Sequence, residues 1–211
     1  MAPKPVFRLT SFLIVLIYAL SFGLLPASAE AMATPDLPSF VHQVENGRAS
    51  VIRGVYARDG FALPVLQQPR ENPGYVSGAE DVVTEFALAS RYGSIGLLAH
   101  NHLAGKYFSS LGLGSQIQLI YGDGQVENFL VTRILRYQAI SPTSPYTSFV
   151  DLESGETLTV NQVFTRVYTG GRHLTFQTCI AQGGELSWGR LFIIAEPLPD
   201  YSDDGAAAQA R

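Results

Sequence analysis

The chain has one cysteine, Cys179, in 211 residues. A single thiol excludes an internal disulfide and leaves three uses: apolar filler, a bridge to another molecule, or a working group. Charge is scarce as well, with 15% charged residues and a formal net charge of −4, so no basic excess is available for nucleic acid or an anionic membrane surface. No internal repeat stands out. What the chain does have is 46% hydrophobic residues with 20 Gly and 12 Pro, a turn-rich globular composition long enough for one domain with a real core.

Residues 1–29 read as a targeting segment. Lys4 and Arg8 form a short basic start, Phe12 to Leu25 is an unbroken apolar run, and Ala27-Ser28-Ala29 is an A-x-A cleavage pattern. As a helix that run spans about 21 Å, short of a roughly 30 Å hydrocarbon core, which favours a cleaved secretory signal; extension at both ends keeps an N-terminal membrane anchor open. Either way the rest of the chain is delivered outside the cytoplasm. Lys4 and Arg8 leave with the segment and no acid does, so 14 basic residues fall to 12 against 18 acidic ones. Outside the cytoplasm thiols oxidise and secreted domains use cysteines in pairs, which makes an unpaired one conspicuous.

Residues 30–49, with Pro35 and Pro38, read as a linker. Ser50–Ala57 is strand-like and leads into a proline-rich connection through Pro64, Pro69 and Pro73. Val82–Ala89 fits either a strand or a short helix, and Ser94–His100 is a short buried strand. The segment from Gln116 to Leu135 is a hairpin folded at Asp123-Gly124. An irregular stretch, Ser141–Gly155, precedes a short amphipathic helix in which Val160, Val163, Phe164 and Val167 share a face and Thr159 and Gln162 have capping-box spacing. Arg172–Thr178 and Arg190–Glu196 close the domain as strands, and 198–211 is a polar tail expected to be disordered. Short strands, tight turns and one helix point to an all-β fold with short helices: a closed or nearly closed barrel over 50–197 with a helical insertion between late strands.

Alternation places Leu174, Phe176 and Thr178 on one face of the penultimate strand and His173, Thr175, Gln177 and Cys179 on the other, so the thiol sits on the more polar face at the strand end. If the last two strands pair as a hairpin across the ten residues from Ile180 to Gly189, Cys179 faces Arg190 with Cα atoms about 4.5–5.5 Å apart. A guanidinium beside sulfur favours the thiolate and offers donors to a developing oxyanion. A thiol nucleophile also needs an imidazole. His42 lies in the linker, and His173 lies about 20 Å from Cys179 along its own strand. His100 and His102, after the Ser94–His100 strand, meet the thiol only if that strand runs parallel and adjacent to the cysteine strand.

These residues resemble the sortases, exported cysteine transpeptidases. Thr175–Cys179 (TFQTC) is similar to the family's T-L-x-T-C with Phe176 in place of Leu. Arg190, heading RLFIIA, is similar to the family's R-L-x-V, and LLAHNHLAG is similar to its G-H-x block with Ala99 in place of Gly. The match covers about residues 93–196. The resemblance implies an eight-stranded barrel in which Cys179 attacks a sorting-motif peptide of LPxTG type. His100, aligned by the strand-then-H-N pattern, serves the leaving and incoming amines, and Arg190 holds the oxyanion. It further implies Thr178, Ala99 and Asn101 as substrate-binding positions, a groove wall from Ser141–Gly171, and no metal or cofactor. The implied partners are the peptide and an amine such as a cell-wall peptide or pilin lysine. A papain-type order would put Cys before His, and an L,D-transpeptidase would carry S-H-G-C. A secreted barrel that binds partners with an incidental thiol is the competing reading from another class.

Overall fold

The computed structural model describes residues 34–58 and 60–199; the targeting segment and the tail from Asp200 onward lie outside them. In chain order the elements are helix α1 (Leu37–Val44), strands β1 (Ile52–Ala57), β2 (Phe61–Gln67) and β3 (Val83–Glu85), and the helical turn α2 (Ala87–Ser90). Then come β4 (Ile95–Leu98), a 3-10 helix (Ala104–Ser110), β5 (Gln116–Tyr121), β6 (Val126–Ala139), β7 (Phe149–Asp151) and β8 (Thr157–Leu158). Helix α3 (Val160–Tyr168) and strands β9 (Leu174–Gln182) and β10 (Glu185–Pro197) complete the domain.

The strands run in the order β10-β9-β4-β3-β2-β1-β5-β6, and β6 pairs back onto β10. That second pairing closes eight strands into a barrel, leaving β7 and β8 as a short extension from β6. Strand β6 makes the closure possible by its length: Val126–Leu130 pairs with β5 on one side, while Phe129–Gln138 pairs with β10 on the other. The interior is filled by Phe61, Leu97, Phe108, Leu119, Phe129 and Phe176 with their aliphatic neighbours. Each fully buried side chain of this size stabilises the fold by about 1.5–3 kcal/mol. A second apolar layer lies outside the barrel, where α3 covers Tyr137, Phe192 and Ile194. Among the described residues no helix is long and apolar enough to cross a membrane.

The helical insertion falls where expected, between β8 and β9. Its capping box is complete: Thr159 Oγ1 accepts from the Gln162 amide, and the Gln162 side chain accepts from the Thr159 amide at 2.8 Å. The Asp123-Gly124 hairpin joins β5 to β6, and the ambiguous Val82–Ala89 segment divides into a strand, β3, and the turn α2.

Four expectations are corrected. Residues 34–49 are no plain linker, since α1 packs Phe40 and Val44 against Tyr56 and Ile120. Its prolines open a helix instead of forbidding one: Asp36 caps the N-terminus through a 2.9 Å bond from the Ser39 amide, and Pro38 sits in the first turn, where no amide donor is needed. Pro64 is a strand residue, opposite Gly54 in the β1–β2 pair, and β2 takes its second neighbour, β3, only from Val65. The irregular Ser141–Gly155 stretch contains β7. The ten residues from Ile180 to Gly189 are mostly strand, folded at Gly183-Gly184, whose φ values of +61° and +85° suit a two-residue hairpin turn. At the other end, Leu198 remains tied to the barrel, its amide donating to Asn128 O at 2.8 Å.

Candidate active site

The hairpin pairing of β9 with β10 sets Cys179 opposite Arg190 and Thr178 opposite Leu191. Strand β4 runs parallel to β9 on its other side, with Leu97 beside Phe176 and Leu98 beside Gln177. The ladder continues past the regular strands: the Ala99 amide donates to Gln177 O at 3.3 Å, and Thr178 Oγ1 donates to Ala99 O at 2.9 Å. His100 is the next residue on β4's path and Cys179 the next on β9, so the two reach the same rim of the barrel on neighbouring strands. Alternation gives them the same outward face.

Cys179 is a free, half-buried thiol. Arg190 is half-buried beside it, and one nitrogen, Nη1, donates to Ser187 O and Gly189 O at 2.9 Å each. Those two bonds hold the guanidinium on the rim. Nε and Nη2 find no protein acceptor among the described residues, which leaves three N–H donors of the fork for a ligand. His100 is exposed, its ring stacked on that of His102 at 5.7 Å between centroids. Its carbonyl accepts the amides of Leu103 and Gly105, both at 3.0 Å, which folds the loop back over the rim. Asn101 Nδ2 donates to Leu186 O at 3.0 Å, tying the histidine loop to the β9–β10 hairpin.

The other histidines lie elsewhere. His42 is on α1, where its ring pairs with Glu45. His173 shares the thiol's face of β9 but is only 3% exposed, and Thr175 on the same face is fully buried. The polar appearance of that face is therefore misleading along its first half. The last turn of α3 lies over it, Val167 O accepting from Thr175 Oγ1 at 2.8 Å and standing 2.9 Å from His173 Nε2.

Of the positions implied for substrate, Thr178 and Ala99 turn inward. Thr178 is 5% exposed, with its hydroxyl bonded to Ala99 O. The groove instead runs over the outer face of β9 and β10. It has a volume of about 260 Å³ and is lined by Gln177, Arg190 and Phe192 below, Val160, Val163, Phe164, Val167 and Tyr168 from α3, and Ser144, Pro145 and Thr147 from the loop before β7. The Ser141–Gly171 segment thus does wall a groove; Cys179 lies outside its lining, two residues beyond Gln177 on β9 with the same strand parity. Alternation in the sequence places Gln177 on the thiol's face but gives it no role; its place in the groove depends on α3.

Fold and site together define a closed eight-stranded barrel with a thiol and a guanidinium opposed at one rim and a histidine loop folded over it. No family model and no curated protein sequence matches the chain. Among solved structures it is similar to sortase C1 from Streptococcus suis, at 14% identity and a TM-score of 0.48 over 80% of this chain and 81% of that one. It is also similar to sortase C-1 from Actinomyces oris (13%, 0.47, 78% and 82%) and to sortase A from Listeria monocytogenes (12%, 0.46, 71% and 88%). At such identities the likeness assigns no role to any residue.

Proposed function

We propose that the chain is a sortase-like cysteine transpeptidase acting outside the cytoplasm, delivered there by residues 1–29. The observation that carries this reading is the opposition of Cys179 and Arg190 at a rim to which the parallel β4–β9 pairing also brings His100. The substrate is an extended peptide of LPxTG type, which the apolar groove suits, and the acceptor is an amine such as a cell-wall peptide or a pilin lysine.

The thiolate of Cys179 attacks the carbonyl carbon of the scissile bond, and the oxyanion takes hydrogen bonds from Arg190 Nε and Nη2. His100 gives a proton to the departing amine as the C–N bond breaks, leaving a thioester. The incoming amine attacks that thioester, His100 takes its proton, and the C–S bond breaks to restore the thiolate. All groups in the cycle are protein side chains or substrate.

The test combines an LPATG peptide, with and without added amine, and mass spectrometry of products and of the acyl-enzyme. The expected result is cleavage in both cases, an amide product only with amine, and loss of all three species in Cys179→Ala. A folded protein whose Cys179 resists methanethiosulfonate reagents and which processes no peptide in a screen of five- and six-residue motifs sinks the proposal in favour of a binding module.

A further inference from the structure

Gln177 precedes Cys179 by two residues on β9, so it leaves the sheet on the thiol's face, about 7 Å away along the strand. It is a polar amide on the floor of a groove whose α3 wall is valine and aromatic. An amide in such surroundings needs partners for its oxygen and its two N–H groups. The oxygen has one: Tyr168 Oη donates to Gln177 Oε1 at 2.6 Å. Tyr168 is 2% exposed, and burial pushes its phenol well above the ordinary range, so the hydroxyl keeps its proton and acts as the donor. The tyrosine is itself wedged by Phe86, Phe164 and Phe192, with ring centroids 5.3, 5.2 and 6.4 Å away.

That bond fixes the amide's orientation. With Oε1 turned to Tyr168, the two N–H groups of Nε2 face away from it, and no acceptor among the described residues takes them. We propose that Gln177 Nε2 is the main-chain donor of the groove: it hydrogen-bonds a peptide carbonyl oxygen about two residues along an extended substrate from the carbonyl that Cys179 attacks. Tyr168 is then a positioning residue acting through Gln177. Thr178, implied for substrate by the sortase resemblance, has the wrong parity, and its hydroxyl is already bonded to Ala99 O. The identity of the peptide rests on the transpeptidase reading; the donor and its orientation do not.

The experiment measures binding of an LPATG-amide peptide by calorimetry in the Cys179→Ala protein, alone and combined with Gln177→Leu, Gln177→Glu or Tyr168→Phe. Losing one neutral hydrogen bond is expected to weaken binding roughly three- to tenfold in Gln177→Leu. Gln177→Glu, which sets an acceptor against the carbonyl, weakens it further, and Tyr168→Phe, which frees the amide to turn, falls between Gln177→Leu and the parent. The Gln177→Leu loss is equal for peptides that differ in the side chain at the contacted residue, because the contact is to main chain. In the Cys179-containing protein, Gln177→Leu leaves the rate of thiol alkylation unchanged, which shows an intact site. Equal affinity with and without the Gln177→Leu change overturns the assignment, as does failure of every peptide in the motif screen to bind. Peptide that binds to Cys179→Ala but is never turned over by the parent defeats the transpeptidase proposal and leaves the role of Gln177 standing.

Discussion

Cys179 and Arg190 face each other because β10 gains two residues on β9 between Glu185 and Gly189. The hairpin begins with Gln182 opposite Glu185, and an unbroken ladder from that pair would set Trp188 against the thiol. The irregularity brings Arg190 there instead, and its own carbonyls, Ser187 O and Gly189 O, accept both protons of Nη1. One local feature therefore sets the register and clamps the cation.

Arg190→Lys is expected to keep the charge and lose the function. A lysine ammonium lacks the planar fork that can bond two carbonyls with one nitrogen and still present donors to an oxyanion. Loss of an oxyanion donor lowers kcat by about 10²–10³. Peptide transfer kinetics test this, with an unchanged circular dichroism spectrum as the control; a kcat within a few-fold of the parent would remove Arg190 from the chemistry.

Thr178 contributes through structure. Its hydroxyl bonds Ala99 O, one residue before His100, and a methyl on Gly105 would come within 2.3 Å of that hydroxyl and 2.7 Å of His100 O. Thr178→Val leaves a buried carbonyl without its partner and is expected to cost about 1–3 kcal/mol, read as a lower unfolding midpoint in urea. Gly105→Ala forces backbone to move beneath the histidine, so it should lower both stability and transfer rate. A Gly105→Ala protein with parental stability and rate would show that the loop tolerates displacement.

Legibility followed the range of the interactions. The Asp123-Gly124 turn, the Thr159–Gln162 capping box and the parity of Cys179 are local, and the sequence displays them directly. The Cys179–Arg190 opposition was legible as a register, though its cause, the irregularity after Glu185, was not. Pairing of β4 with β9 joins residues some eighty positions apart, and nothing in Ile95–Leu98 names that partner. Exposure was the weakest inference: His173 and Thr175 have the alternation of a solvated face, yet the last turn of α3 buries them, whereas Gln177, though bonded by Tyr168 of that helix, and Cys179 stay half-buried. Pro38 and Pro64 misled for a related reason, since a proline's effect depends on whether its position in a helix or ladder needs an N–H.

The far side of the barrel makes a pH prediction. Tyr121 Oη donates to Glu127 at 2.8 Å, and Arg172 bonds both Glu127 and the tyrosine oxygen. Burial works to raise the Glu127 pKa, but the bonds from Arg172 and Tyr121 and the Arg172 charge outweigh it and hold the carboxyl below its ordinary 4.5. A depressed carboxyl stabilises the fold above its unfolded value and loses that contribution as pH falls through the folded one. Burial and the neighbouring Glu127 push Tyr121 up to about 12 from 10, so its contribution is present below 10 and lost as pH rises toward 12. Glu127→Gln is expected to flatten the acid limb of a stability-against-pH curve below 4.5, and Tyr121→Phe the alkaline limb. Unaltered limbs in both variants would show that the cluster does not couple to folding.

Helix α1 supplies the remaining prediction, because a linker and a docked helix respond differently to the same change. Phe40 is 1% exposed, tilted against Tyr56 with ring centroids 6.2 Å apart. It lies so close to β1 that a methyl on Gly54 would come within 2.8 Å of its ring. Phe40→Ala empties that contact and is expected to cost about 3–5 kcal/mol, as for other buried phenylalanines. Gly54→Ala should destabilise by pushing the ring out. The two changes act on one contact, so their effects should fall short of additive in the double variant. Urea unfolding of the four proteins checks this: full additivity would mean that the two changes do not act on one contact, and a neutral Phe40→Ala that the ring adds nothing to the barrel it covers.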